Sequence, residues 1–283
     1  MKLRYILEAA ALYFFLTIFR LLPVDTASGF GGWLGRTIGP RMGASRKARA
    51  NIARAFPDKS KAEQDVIIKA MWDNLGRVLA EYPHLSHITR TRVEIVDPQN
   101  VIRLMENDSK GAIVWSAHIA NWEILMGTLS CQSKLSIAGV YRAPNNPISD
   151  RVLDRLRNPT GKIRFVPKSR SGTRELVTAI KDGFHTGILI DQKYNEGVAV
   201  PFFGHDAMTS SAFVQLAQKY DCPLVPIQIE RLNGANFRIT LFEPMDITNR
   251  EAVDVMNEAH RLLEGWITER PEQWLWLHRR WPS

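Results

Sequence analysis

Cysteine is nearly absent: Cys131 and Cys222 are the two in a chain of 283 residues. That excludes a disulfide scaffold and a cysteine-built zinc cluster, and it fits a reducing compartment. Long apolar runs are also few. A membrane-spanning helix needs about 20 consecutive apolar residues, and there are too few such stretches for a polytopic membrane protein. Internal repeats, linkers and low-complexity tracts are missing. So are Gly-x-Ser-x-Gly, His-Glu-x-x-His and a Walker A sequence, the marks of elbow-type serine hydrolysis, zinc hydrolysis and nucleotide cleavage. What remains is globular: 45% of residues are hydrophobic and 23% charged, enough apolar content to build a core. The length suits one large domain or two small ones. A net charge of +8 points to an anionic partner.

Most of that charge sits at one end. Residues 1–50 hold eight bases and two acids, six of the eight net positive charges. The same stretch carries the most apolar segment, Tyr5 to Leu22, closed by Pro23 and interrupted by Glu8 and Arg20. A helix over the uncharged Ala9–Phe19 reaches about 16 Å, against roughly 30 Å of hydrocarbon. Lying in or dipping into the interface is therefore easier than spanning it, with Lys2, Arg4, Arg20 and the following bases on anionic headgroups. A cleaved signal peptide has a similar basic start, but Arg20 stands where its cleavage region should begin; a buried soluble helix is the other alternative. The expectation is an uncleaved membrane anchor with the body on the cytoplasmic side. Gly29 to Gly35 is glycine-rich yet is no dinucleotide fingerprint, because the third glycine is out of register and no strand precedes it.

Ser60 and Glu63 form a capping box that opens a helix to about Glu81, with Val66, Ala70, Met71, Leu75, Val78 and Leu79 on one side. From about residue 92 short apolar runs alternate with helical patterns. Gly111–Ala117, Leu135–Tyr141, Gly187–Ile190, Leu224–Glu230 and Phe237–Phe242 read as strands. Helical stretches fall near 121–131, 149–158, 172–182 and 211–220, and a last helix runs from Arg250 to about Arg270. This alternation predicts an α/β fold with a mostly parallel sheet flanked by helices. The expected organisation is an N-terminal membrane-associated helical segment over 1–56 and one α/β domain over 57–283.

The strand 111–117 leads into His118-Ile-Ala-Asn-Trp-Glu123. On a continuous helix His118 and Glu123 would diverge by about 140°. They can meet if His118 leaves the strand in a turn and Glu123 lies in the first helical turn, with Asn121 as N-cap. Open α/β sheets place ligands at such junctions. An imidazole, a carboxylate and unpaired N–H groups at a helix start can activate a hydroxyl and stabilise an oxyanion.

The segment resembles the H-x4-D/E motif of the glycerolipid acyltransferase superfamily, and His-x-x-Asn-Trp-Glu resembles the bacterial lipid A biosynthesis (late) acyltransferases, the lauroyl and myristoyl transferases. Further blocks agree in order along the chain: Asn51–Pro57, Asn74–Glu81, Val140-Tyr-Arg142 with Asn146-Pro147, and Gly187–Gln192. Val200–Gly204 with Thr209, Pro223–Pro226, and Pro271–Trp276 with His278–Arg280 follow. Ile119 stands where the family often has Phe. The resemblance implies a glycerolipid-acyltransferase-like fold at the cytoplasmic face of the bacterial inner membrane. It implies transfer of a fatty acyl chain from acyl carrier protein to a hydroxyl of a Kdo-bearing lipid A precursor. His118 would be the general base, and Glu123 would fix its tautomer and stabilise the imidazolium. An imidazole with an ordinary pKa of about 6.5 suits that task. A thioester is already activated, so neither a metal nor a cofactor beyond the donor's phosphopantetheine arm is expected.

Substrate binding is expected of Asn121, Arg142, Lys168, Arg170, Arg174 and Asp191. Arg142 follows a strand, the basic Lys168–Arg174 loop suits phosphate or carboxylate oxygens, and Asp191 ends the strand 187–190. The C-terminal Trp274, Trp276, Arg279, Arg280 and Trp281 suit a membrane interface, a single-stranded nucleic-acid platform or a segment packed on the core. Nothing resembles a nucleic-acid module, so no nucleic-acid partner is expected. The alternatives are a lysophospholipid or glycerol-phosphate acyltransferase, although their Asn-His-x-Ser-x4-Asp-like and Phe-Pro-Glu-Gly-like motifs are missing, and a non-catalytic protein binding anionic lipid.

Overall fold

Five helices precede the first strand in the computed structural model, which describes residues 3–108, 110–141, 143–167 and 170–281, the side chains of Arg170 and Ser171 excepted. They are α1 (Leu3–Arg20), α2 (Val24–Ile38), α3 (Ser45–Ala55), α4 (Lys61–Glu81) and α5 (Leu85–Thr91). Helix α1 buries Ala9, Leu16 and Phe19 and turns Leu3, Leu7 and Phe14 outward. No described helix is long and apolar enough to cross a membrane. The glycines of 29–35 serve close packing: a Cβ on Gly31 or Gly35 would collide with Gly76, Ala80 or the Trp72 carbonyl of α4. Small residues on both helices are what let the two backbones approach this closely.

Helix α4 starts at the expected capping box, with the Ser60 hydroxyl and Glu63 carboxylate each accepting from the other's backbone N–H. Its buried residues differ from the predicted stripe. Val66 and Leu79 are exposed, whereas Ile67, Ile68, Met71, Trp72, Val78 and Ala80 are buried, because α4 is covered both by α2 and by the main core. Val24, Ala48, Ile52 and Ala55 belong to that same core, which therefore crosses the boundary expected at residue 56.

The rest of the chain alternates strand and helix: β1 (Val93–Val96), α6 (Val101–Asn107), β2 (Ile113–Ser116), α7 (Leu125–Gln132), β3 (Ile137–Tyr141), α8 (Pro147–Arg157), β4 (Arg164–Pro167), α9 (Arg170–Lys181) and β5 (His185–Leu189). A hairpin, β6 (Val198–Phe202) and β7 (His205–Thr209), is followed by α10 (Ala212–Tyr220), β8 (Leu224–Asn233), β9 (Asn236–Leu241) and α11 (Ala252–Glu269). One seven-stranded sheet has the order β1-β9-β8-β2-β5-β3-β4. Strands β8, β2, β5, β3 and β4 run parallel, and β9 with β1 runs against them. The mostly parallel sheet flanked by helices is thus as the alternation predicts. Strand β2 is buried at all four positions, as a central parallel strand should be. Beside it Trp115 stacks on Trp266 with centroids 5.3 Å apart.

The C-terminal segment packs on the core. Trp274, Trp276, Trp281 and Arg280 are buried, which selects the core-packed alternative over an interfacial one for these residues. An isolated bridge joins Ile119 to Trp274, the Ala120 N–H donates to the Gln273 carbonyl, and the Leu275 N–H donates to that of His118. The segment therefore straps the loop that follows β2.

Candidate active site

Strands β2 and β5 are parallel neighbours, with Ser116 opposite Leu189. Two residues further on each chain are His118 and Asp191, so the register alone brings them side by side at the C-terminal edge of the sheet. His118 Nδ1 lies 2.8 Å from Asp191 Oδ1, and the His118 backbone N–H donates to Oδ2 at 3.1 Å. Trp274 Nε1 donates to the same Oδ2 at 2.8 Å. Asp191 is fully buried. Burial alone would raise its pKa, but the His118 charge and hydrogen bonds, together with the Trp274 donor, hold it well below the usual carboxylate range. An ionised carboxylate there fixes the Nδ1–H tautomer and leaves Nε2 as the basic position. Gln192 Nε2 lies 3.2 Å from His118 Nε2 and 3.4 Å from His278 Nε2.

Glu123 has other neighbours. Its oxygens accept from Arg157 Nε and Nη2 at 2.5 and 3.0 Å, and from Trp122 Nε1 at 3.0 Å. Arg157 Nη2 also donates to the Tyr82 hydroxyl at 2.9 Å. Burial works to lower the Arg157 pKa, but the Glu123 and Tyr82 contacts raise it above the ordinary guanidinium value. Burial first, and the Glu123 charge next, push the Tyr82 phenol up. The partner expected of Glu123, the imidazole Nδ1, is instead held by Asp191. Glu123 reaches the imidazole through Trp122, whose ring meets His118 edge-on with centroids 5.1 Å apart. The physical reason is the turn itself: Trp122–Ile124 is a short 3-10 element ahead of α7, and it aims Glu123 toward α8.

Asn121 is expected to cap that helix and to bind substrate. It stands at the N-cap position but makes no side-chain cap bond. Its side chain is fully buried, and Nδ2 donates to Glu81 Oε2 at 2.7 Å, so it presents no surface to a substrate. Glu81 is also fully buried, takes Arg231 Nη1 and Nη2 at 2.5 and 3.0 Å, and accepts from the Ser28 hydroxyl at 2.7 Å. Arg231 Nε donates to Asn74 Oδ1 at 2.9 Å, and Asn74 Nδ2 donates to the Ala120 carbonyl at 3.0 Å. Ala120 adopts φ 50°, a left-handed conformation that costs an L-residue on the order of 1 kcal/mol. This buried network and the Gln273 carbonyl hold it there.

Asp191 was expected to line the site for substrate; its burial gives it the imidazole instead. Arg174 is exposed in α9, which follows the edge strand β4 at the same end of the sheet. Arg142 and Lys168 lie outside the described residues, as does the Arg170 side chain. Gln192, His278, Glu81, Asn74, Arg231 and Gln273 are not singled out as site residues from the sequence, and Trp274 is singled out only within the C-terminal aromatic segment. All but Arg231 stand in motif blocks quoted there. The missing information was which strands are neighbours.

The chain matches the family model "Bacterial lipid A biosynthesis acyltransferase" over residues 1–283. It is similar to three enzymes of Escherichia coli K12. The lipid A biosynthesis palmitoleoyltransferase is 25% identical, covering 87% of this chain and 84% of that one. The myristoyltransferase is 24% identical over 86% and 77%, and the lauroyltransferase 23% over 82% and 77%. A solved 1-acyl-sn-glycerophosphate acyltransferase from Thermotoga maritima aligns with 95% of this chain and 97% of its own at 14% identity, with a TM-score of 0.38, too low to argue fold from. The match along the whole chain makes this protein a member of the bacterial lipid A biosynthesis acyltransferase family.

Proposed function

We propose that this acyltransferase moves a fatty acyl chain from acyl carrier protein to a hydroxyl of a Kdo-bearing lipid A precursor, with His118 as general base. The observation that carries the reading is the Asp191–His118 pair: an ionised, buried carboxylate on Nδ1 and a basic Nε2 at the C-terminal edge of a parallel sheet. Nε2 takes the proton of the acceptor hydroxyl as its oxygen attacks the thioester carbonyl carbon. The carbonyl pair moves onto oxygen. On collapse the carbon–sulfur bond breaks, and the departing sulfur takes the proton from Nε2. Asp191 stabilises the imidazolium between those two transfers. Glu123 acts as a positioning residue through Arg157 and Trp122, and Arg142, Lys168, Arg170 and Arg174 supply basic groups for the anionic headgroup or carrier.

The membrane part of the proposal rests on the apolar outer faces of α1 and α2. Leu3, Leu7, Phe14, Phe30, Trp33 and Ile38 are exposed on them and Leu21 in the turn between, and Arg4, Arg20, Arg36 and Arg41 stand among or just beyond these residues. Such a face lies in a bilayer interface without crossing it, here the cytoplasmic leaflet of the inner membrane. The test is transfer by purified protein in detergent from lauroyl-, myristoyl- or palmitoleoyl-acyl carrier protein. Kdo-lipid A precursor and lysophospholipid serve as acceptors side by side. Acylation of the first and not the second is expected, and it is abolished in His118→Ala. Acylation of the lysophospholipid alone, or full activity in His118→Ala, overturns the reading.

A further inference from the structure

Gln192 follows Asp191 directly, and its amide nitrogen sits between two imidazoles. It is 3.2 Å from His118 Nε2 and 3.4 Å from His278 Nε2, and the two rings meet edge-on with centroids 5.2 Å apart. A primary amide carries two N–H donors and can satisfy both ring nitrogens only if both are unprotonated. In the neutral form of His118, Asp191 holds the single proton on Nδ1 and leaves Nε2 unprotonated. For His278, burial depresses the pKa and favours the neutral ring; a protonated His118 and Lys47 act in the same direction and Asp191 against it. His278 is set in place by α3, whose Asn51 Nδ2 donates to its carbonyl at 2.5 Å and to that of Trp276 at 2.8 Å.

The bond from Gln192 to His118 exists in the resting site and cannot survive the reaction. When Nε2 takes the acceptor's proton it becomes an N–H, and the amide donor facing it has lost its acceptor. At that same moment the thioester carbonyl oxygen acquires negative charge. The nucleophile oxygen is then within hydrogen-bond reach of His118 Nε2. The carbonyl oxygen is on the same carbon, and two oxygens on one carbon lie closer together than the two nitrogens here. We propose that Gln192 is a catalytic residue whose amide N–H passes from His118 Nε2 to the developing oxyanion of the thioester carbonyl, and that His278 is the positioning residue that holds the amide through its second N–H. The inference rests on the reading of His118 as general base. A donor aimed where charge develops is worth more in the transition state than in the ground state, so the effect falls on kcat. The neutral His278 matters because an imidazolium would repel the amide donor and turn it away.

The test compares full pH profiles of kcat and KM for Gln192→Ala, Gln192→Met, His278→Gln and His278→Ala against the parent protein, in detergent with the donor and acceptor above. Gln192→Ala and Gln192→Met are expected to lower the plateau of kcat by about 10²–10³-fold, the cost of one oxyanion donor. KM for both substrates and the melting midpoint should stay near those of the parent. Met fills the volume of Gln, so it answers the proposal if the alanine variant folds poorly. His278→Ala is expected to lose about tenfold, and His278→Gln, whose carbonyl can accept from Gln192, to recover most of it. If Gln192 only tethers the resting imidazole, its removal shifts the acid limb of the profile and leaves the plateau intact, which overturns the proposal. An unchanged profile overturns it as well. His118→Ala separates the two levels of the argument: activity there defeats the general-base reading, whereas an inactive His118→Ala beside a fully active Gln192→Met defeats this inference alone.

Discussion

The two ends of the motif from His118 to Glu123 sit in different surroundings although only four residues separate them. The His118 end belongs to the sheet. Strand register, a fully buried aspartate and the C-terminal strap fix its imidazole, and a second buried network behind Ala120 holds the turn that carries it. The Glu123 end belongs to the helices, tied to α8 by Arg157 and to α4's terminus by Tyr82. A sequence motif reads as one unit, but here it divides into a chemical half and a docking half. The carboxylate that completes the chemical half comes from a strand far along the chain.

Substitutions on either side can break or sharpen this division. The largest effect is expected from Asp191→Asn, which keeps the shape and donates to Nδ1 instead of accepting; kcat should fall by about 10⁴-fold, as expected of a reversed tautomer, with the fold retained by circular dichroism. Behind the loop, Glu81→Ala strands the buried Arg231 guanidinium. Loss of one partner of a buried pair costs about 3–5 kcal/mol, to be read from denaturant unfolding in detergent. Glu81→Ala with Arg231→Met should recover much of that stability, and no recovery would place the cost elsewhere.

A third effect concerns the buried cation near the Asp191 side. Arg280 lies over the Phe202 ring and donates to Thr209 Oγ1 and to His260 Nε2 at 2.7 and 3.1 Å. Burial first, and the Arg280 charge next, push His260 down to about 4. The folded value lies below the unfolded one, so the unfolded chain binds more protons between them. Stability is therefore complete above about pH 6.5 and is lost as pH falls toward 4, by about 3 kcal/mol in total. His260→Gln should flatten that slope in melting midpoints measured across the window; an equal slope in both proteins would mean that other groups govern it. The smallest effect belongs to the docking half. Glu123→Ala and Arg157→Ala should each lower kcat by about 10²-fold, and the double variant should be no worse than either, because both act through one contact. Additive losses would show that Glu123 acts on the imidazole independently of Arg157.

Much of the sheet was legible because its strands are short β-branched runs between helical patterns. The edge strands β1 and β4 escaped because each is only four residues long and carries a charge, Glu94 or Arg164, that breaks up a continuous apolar run. The hairpin β6–β7 escaped because Pro201 argues against a strand unless the strand lies at an edge, where β6 does lie in its two-stranded sheet. His118 was legible as a candidate site residue, since a strand end running into a turn is a local property. Its partner was not. Strand order decides which carboxylate sits beside it, and order is fixed by packing over the whole chain rather than by spacing within one segment. The same reason separates the expected and observed places of Asn121 and of Trp274 and Trp281: local composition favours a surface, while long-range bonds to Glu81, Asp191 and the Phe202 carbonyl draw them inside.

The central claim is that Asp191, not Glu123, holds the His118 imidazole. It is tested most directly by NMR of ¹⁵N-histidine-labelled protein in detergent, comparing the parent with Asp191→Asn and Glu123→Gln. The account predicts a His118 ring protonated at Nδ1, with a strongly deshielded Nδ1 proton that survives in Glu123→Gln and disappears in Asp191→Asn. Loss of that proton in Glu123→Gln with its retention in Asp191→Asn would contradict it.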